Sequence, residues 1–294
     1  MDKITIHAMA KINLGLDVLG RREDGYHEVK MIMQTVDLYD TLTFEKSGEP
    51  GIIIKSDHPM VPCDDSNLVH KAASRLMERF NIDSGLKITL EKNIPIAAGM
   101  AGGSTDAAAA FVAVNRLFDL KMTKEELKSM AVTIGADVPY CIEGGTALSQ
   151  GIGEILSGLP MPPHCYVVIA KPQISVSTAK VYKSLVLEQL EHPDIDGMVR
   201  AIRAADLQAM CDKMGNVLQT VTEKKYPVIT QLKNLLKEEG AINSMMSGSG
   251  PTVFGIFESK KKAQEALLAV ENSGLCEQAS ITTPVAEAQI VAEV

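Results

Sequence analysis

Residues 95–111, PIAAGMAGGSTDAAAAF, gather the residue types that phosphate chemistry needs. Gly99, Gly102 and Gly103 let a backbone bend around an anion, Ser104 and Thr105 bring hydroxyls, and the small residues 107–110 open a helix that can lie close to a neighbour. A helix start presents unpaired N–H groups and positive partial charge, so a loop feeding one is a natural anion site. The run is not the common phosphate loop, because no Gly-Lys-Ser/Thr follows the glycines. Nor does it fit the dinucleotide fingerprint, because position 101 is alanine, which sets aside a nicotinamide-dependent oxidoreductase. If a phosphate binds here, its lysine comes from elsewhere in the chain. Glycine–alanine loops also join tightly packed elements, so this signal needs company.

Three other places offer it. Lys11 is the one basic residue inside the apolar stretch AMAKINLGL, and Asp137 lies in GADVPY after a helical segment. Taken alone, each has a plain reading, a surface-facing lysine and a turn-forming aspartate. Tyr26 and His27 follow Asp24-Gly25, a hairpin-turn signal that accounts for them equally well. Their chemistry depends on a fold that brings them to the loop. Asp106, just inside the helix, either complements the helix dipole or stands near a metal.

The elements that must do this are legible in outline. KITIHAM, KINLGLDVLG, VKMIMQTVDL, DTLTFEKS and GIIIKS read as strands between polar turns such as RREDGYH. SNLVHKAASRLMERFN has helical spacing and opens at Ser66 or Asn67. LKITLEK alternates as a strand and leads straight into the glycine loop, giving strand, loop, helix. Thr123 and Glu126 form a capping-box pattern ahead of another helix. GGTALSQ and HCYVVIAKP read as strands, TAKVYKSL and VITQLKNLLKEEG as helices. A third glycine cluster in SMMSGSGPTVFGIFES leads into a strand, followed by a helix at KKKAQEALLAV. Strands and helices mix without strict βαβ alternation, which favours an α+β class.

The chain has 294 residues, room for about two domains, and proline and glycine cluster at LSGLPMPPHC. We therefore expect domains at 1–157 and 158–294. A net charge of −8 argues against nonspecific nucleic-acid binding. Five widely spaced cysteines without a C-x-x-C pattern fit reduced thiols in the cytoplasm. The opening residues lack a signal-peptide apolar run, and no membrane-spanning stretch is expected.

AKINLGL, PIAAGMAGGSTDAA and SGSGPTVFG occur in the order seen in the galactokinase, homoserine kinase, mevalonate kinase and phosphomevalonate kinase superfamily, which the chain resembles. With RREDGYHEV and GADVPY added, it most resembles the 4-diphosphocytidyl-2-C-methyl-D-erythritol kinases along nearly its whole length. The resemblance implies a two-domain small-molecule kinase with its active site in the interdomain cleft. It implies ATP and Mg²⁺, the donor being held by Pro95, Ile96, Ala97, Ala98, Gly99, Met100, Ala101, Gly102, Gly103, Ser104 and Thr105. Asn67 and Lys92 match positions near the adenosine. Lys11 and Asp137 match the catalytic pair; Ser104 or Thr105 would assist the metal, whose direct protein ligand stays undetermined. Tyr26, His27 and Tyr182 match a cytosine site and Asn13 the acceptor pocket, for phosphorylation of the substrate's 2-hydroxyl in the non-mevalonate route to isoprenoid precursors. A homoserine- or mevalonate-type kinase, or a nucleotide-binding regulator without turnover, are the alternatives. The departure is Ala101, where many members carry glycine.

Overall fold

The computed structural model describes residues 1–292. The chain opens with two very long antiparallel strands, β1 (Lys3–Arg21) and β2 (His27–Ser47), joined by the RREDGYH turn. Each joins two segments that the sequence pattern separates. They stay continuous because bulges at Met9/Ala10, Asn13/Gly15 and Val18/Gly20 absorb the twist and re-aim side chains. After β3 (Ile52–Ser56), helix α1 (Leu68–Arg79) leads to β4 (Gly85–Glu91), then the glycine loop and helix α2 (Gly102–Leu117). Asn67 caps α1, accepting from Val69 N at 2.8 Å. The capping box at Thr123 and Glu126 opens α3 (Lys124–Ala131), and α4 (Val138–Glu143) follows with Asp137 at its N-cap position. The strands β5 (Thr146–Gly151) and β6 (Ile155–Leu159) complete this half.

The second half holds β7 (Tyr166–Lys171), α5 (Thr178–Lys183), α6 (Ile195–Arg203), α7 (Leu207–Asp212) and α8 (Gln219–Lys225). It continues with α9 (Val228–Glu238), β8 (Asn243–Met246), β9 (Val253–Phe257), α10 (Lys260–Asn272), β10 (Gln278–Thr282) and β11 (Gln289–Ala292). One sheet runs β11-β1-β2-β4-β3, with β5 and β6 added alongside β2; the other runs β10-β7-β9-β8. The expected boundary at 157/158 therefore falls inside β6. The chain also returns at its end, where β11 pairs with β1, so the sheets and not one cut in the sequence divide the molecule.

Alternation along β7 shows how the halves are held together. Val168 and Ala170 face a core with Ile229, Leu232, Ala263 and Val270 from α9 and α10. Val167 and Ile169 face the opposite way, onto a core shared with Met198 and Ile202 of α6 and with Ala10, Ile12 and Leu14 of β1. Burying apolar side chains from both sheets in one core, at roughly 25 cal/mol per Å², couples the halves. Since Ile12 and Leu14 point into that core, Lys11 and Asn13 share the other face of β1, as a period of two requires.

Candidate active site

The face of β1 that carries Lys11 and Asn13 opens on a cavity of about 1410 Å³ between the two halves. Lys11 is only 5% exposed, so it is no surface lysine. Its Nζ donates to Asn13 Oδ1 at 2.6 Å and Gly99 O at 3.3 Å, and lies 3.9 Å from Asp137 Oδ2. Asp137, its side chain 35% exposed, reaches this point from the start of α4, a short helix that the GADVPY pattern conceals as a turn. The structure thus brings together a lysine and an aspartate 126 positions apart, counted from 11 to 137. A half-open carboxylate beside a buried ammonium is placed to accept a proton from a hydroxyl in the cavity.

The glycine loop forms one wall. Pro95, Ile96, Ala97, Ala98, Gly99, Ala101, Gly102, Gly103 and Ser104 all line the cavity. Two expected loop residues do not. Met100 is fully buried, where its carbonyl accepts from Lys11 N at 3.2 Å. Thr105 is also buried, and its hydroxyl accepts from Gln289 Nε2 at 2.9 Å, so of the two hydroxyls only Ser104 faces the cavity. Ala101 sits in the left-handed region at φ 60°, and Ala97 at 53°. Position 101 does call for positive φ, and this chain meets it with a residue that pays about 1–2 kcal/mol for it. Residues 107–110 are fully buried beneath the helix start, as their size allows.

Gly99 is required for a different reason. At φ 75° it lies so close to the third glycine cluster that a Cβ would collide with the Ser247 carbonyl. Ser247 Oγ donates to Gly99 O at 3.0 Å, so that carbonyl serves Lys11 and Ser247 at once. Asn216 holds the cluster from behind, donating to Met246 O at 2.8 Å and Gly248 O at 2.7 Å. No motif marks Asn216; these bonds and the bridge between Leu16 and Asn216 reveal it.

Lys92 lines the cavity but is committed to the protein. It is bonded to Asp40 and, at 2.7 Å, to Asp106 Oδ2. Asp40 Oδ1 accepts from Asn93 N at 2.6 Å and Ile94 N at 2.8 Å, whereas Asp106 Oδ1 has no partner. Burial, only partly offset by Lys92, therefore pushes the Asp106 carboxyl up to about 8. Asn67 is similarly occupied, its Nδ2 donating to Pro62 O at 2.6 Å. Among the described residues, no three His, Cys, Asp or Glu side chains converge as a metal site.

Tyr26, His27 and Tyr182 also line the cavity: Tyr26 stands 57% exposed at the turn, and the His27 ring lies 5.1 Å from that of Tyr182 on α5. Burial, and then the neighbouring Arg21 charge, hold His27 below its usual value, so it is a neutral imidazole at neutral pH with one donor and one acceptor nitrogen.

Two family descriptions match the chain: GHMP kinases N terminal domain over residues 67–145, and GHMP kinases C terminal over residues 198–275. The chain is 51% identical over 262 residues to a 4-diphosphocytidyl-2-C-methyl-D-erythritol kinase of Lachnospira eligens, covering 89% of this chain and 91% of that protein. It is 48% identical over 276 residues to a protein of the same name from Bacillus licheniformis, with 94% and 95% covered. A crystal structure of 4-(cytidine 5'-diphospho)-2C-methyl-D-erythritol kinase superposes with a TM-score of 0.81 at 31% identity, over 95% of this chain and 98% of that one. A homoserine kinase from Cytophaga hutchinsonii reaches 0.82 at 22% identity over 99% and 98%, a likeness of fold alone.

Proposed function

The chain belongs to the GHMP kinase family, and from that premise we propose that it transfers the γ-phosphoryl group of ATP to the 2-hydroxyl of 4-diphosphocytidyl-2-C-methyl-D-erythritol. The products are ADP and the 2-phosphate, an intermediate on the non-mevalonate route to isoprenoid precursors. The observation that carries this reading is the Lys11–Asp137 pair, 3.9 Å apart, in one cavity with the glycine loop and the Tyr26–His27–Tyr182 cluster.

Phosphoryl transfer asks for positioning and charge neutralisation more than for covalent help. The N-terminal turn of α2 and the N–H groups of Gly102 to Ser104 receive the ATP phosphates. Asp137 accepts the proton of the acceptor hydroxyl, and Lys11 stabilises that carboxylate and the oxygen losing the proton. Asn13, bonded to Lys11, orients the alcohol beside it. Mg²⁺ would supply charge neutralisation on the phosphates. The donor set would fit an ion carried mainly on phosphates, with Ser104 as its protein oxygen. Tyr26 and Tyr182 stack on cytosine, and His27, a neutral donor and acceptor, reads its edge.

In this reading residues 1–157, joined by β11, form the nucleotide-binding unit, and most of 158–294 forms the second. A cytoplasmic setting suits the five unpaired cysteines, and among the described residues no helix is long and apolar enough to cross a membrane. The test compares kcat/KM for the cytidine substrate, its uridine analogue and free methylerythritol phosphate. A strong preference for the cytidine form is expected, and equal use of all three overturns the assignment.

A further inference from the structure

The last strand of the chain reaches the two helices that carry the proposed chemistry. In β11, Gln289 stands opposite the buried Ala8 of β1, and Ile290 opposite His7. Alternation sends the two side chains to opposite faces. Ile290 is exposed, whereas Gln289 turns inward to the start of α2 and to α4.

The Gln289 amide nitrogen meets three acceptors there. Nε2 lies 3.2 Å from Thr105 O, 2.9 Å from Thr105 Oγ1 and 3.2 Å from Cys141 O. Two of the three are carbonyls, so only the nitrogen of the amide can face them. Its oxygen is buried, and among the described residues it has no partner. An orphaned buried oxygen costs stability, and it is found where another requirement holds the group in place.

The residues that the amide joins define that requirement. Thr105 follows Ser104, and its N–H donates to Ala101 O at 2.8 Å, so it moves with the glycine loop. Cys141 N donates to Asp137 O at 3.0 Å, so it moves with the aspartate. The same tail presses on the far end of α4, where a Cβ on Gly144 would meet Ala288 N at 2.6 Å. Thr105, Cys141 and Gln289 all lie outside the cavity lining, so none of them is placed to touch a ligand.

We infer that Gln289 is a positioning residue, which fixes Asp137 relative to the phosphates on α2 and so sets the rate of transfer without binding either ligand. The inference rests on the proposed role of Asp137. Each ligand has its own subsite, ATP along the glycine loop and the acceptor beside Asn13. Loosening α2 from α4 therefore leaves both affinities alone and spoils only their alignment. A misplacement of about 1 Å, caused far from the chemistry, can cost about a hundredfold in rate.

The test is Gln289→Met, which keeps the length of the side chain and removes its donor. Its kcat is expected to fall roughly tenfold to a hundredfold. Calorimetry is expected to give unchanged Kd values for ATP alone and for the cytidine substrate alone. Ile290→Thr, on the outward face of the same strand, keeps wild-type kcat. The discriminating measurement combines Gln289→Met with Asp137→Asn. With the base gone its alignment no longer matters, so the second change is expected to add little further loss. A merely structural role would carry the full loss into that background. The inference is overturned if folded Gln289→Met keeps wild-type kcat, if either Kd weakens in step with kcat, or if the loss recurs in full without the base. Should the methionine variant not fold, Gln289→Asn keeps the donor on a shorter arm. A smaller fall in kcat at unchanged affinity is then expected, and wild-type kcat overturns the inference. Near wild-type turnover in Asp137→Asn overturns the base reading and this inference with it. Normal turnover in Gln289→Met alone leaves that reading standing, so the two failures are distinguishable.

Discussion

Lys11 sits among three oxygen-bearing neighbours, Asn13, Gly99 and Asp137, and that crowding defines its task. Asp137→Asn keeps the shape and removes the base, so turnover is expected to fall about 10²–10⁴-fold while ATP affinity persists. Lys11→Met is expected to cost a comparable factor, and the double variant little more, because the two act as a unit. Steady-state kinetics with calorimetric ATP titration checks both, and near wild-type turnover in Asp137→Asn excludes it as the base. Ala101 offers a gain. At φ 60° the alanine is strained, so Ala101→Gly is expected to add about 1 kcal/mol, or about 2 °C in Tm. A lower Tm would mean that the added freedom of the unfolded chain outweighs the strain. The glycine loop announced itself in the sequence because its function depends on backbone freedom, which only a few residue types supply. Lys11 and Asp137 were legible only through resemblance. Nothing local distinguishes a lysine aimed into a cleft from one aimed at water; the bulges of β1 decide that, and bulges leave no sharp mark in composition.

The elements around α2 carry the buried charges. Two carboxylates share Lys92, and burial raises the carboxyl of the one with fewer donors, Asp106. Its folded pKa of about 8 lies above the unfolded value, so the native state binds more protons between about pH 4 and 8. Stability from this group is therefore lost as pH rises across that window. Asp106→Asn removes the titration, and its stability relative to the wild type is expected to rise from pH 5 to pH 8. Chemical denaturation at several pH values measures it, and a pH-independent difference would show that Asp106 is ionised throughout. Lys92 and Asp106 are 14 residues apart, but Asp40 joins them from 52 residues before Lys92, on another strand. Strand pairing between β2 and β4 creates the triad, and no sequence window spans it. Helices with strong periodicity or a capping box were legible for the opposite reason, since their signals are local. The two long strands looked like four because a bulge interrupts alternation as a turn does.

At the scale of the whole molecule, two sheets meet across one core and touch again at the cavity, where the loops around Gly99 and Ser247 press together. Gly99→Ala tests that second contact. The positive φ and the collision with the Ser247 carbonyl together are expected to cost more than about 1–3 kcal/mol. Because moving this loop also moves the Gly99 carbonyl, a partner of Lys11, kcat is expected to fall even at saturating ATP. A variant with normal kcat and only a raised KM would show that the loop serves ATP affinity alone.

The shared carbonyl of Gly99 also bears on modularity. A two-part enzyme invites recombination, with the second half of one relative grafted onto the first half of another. Here the graft would cut through a contact in which Gly99, Ser247 and, behind them, Asn216 are fitted to one another. Chimaeras that inherit residues 95–101 and 247–250 from the same parent are expected to keep turnover. Those that mix the two loops are expected to fold and bind nucleotide but turn over slowly, because the lysine has lost its fixed neighbour. Besides the core they share, the halves constrain each other at that one peptide oxygen.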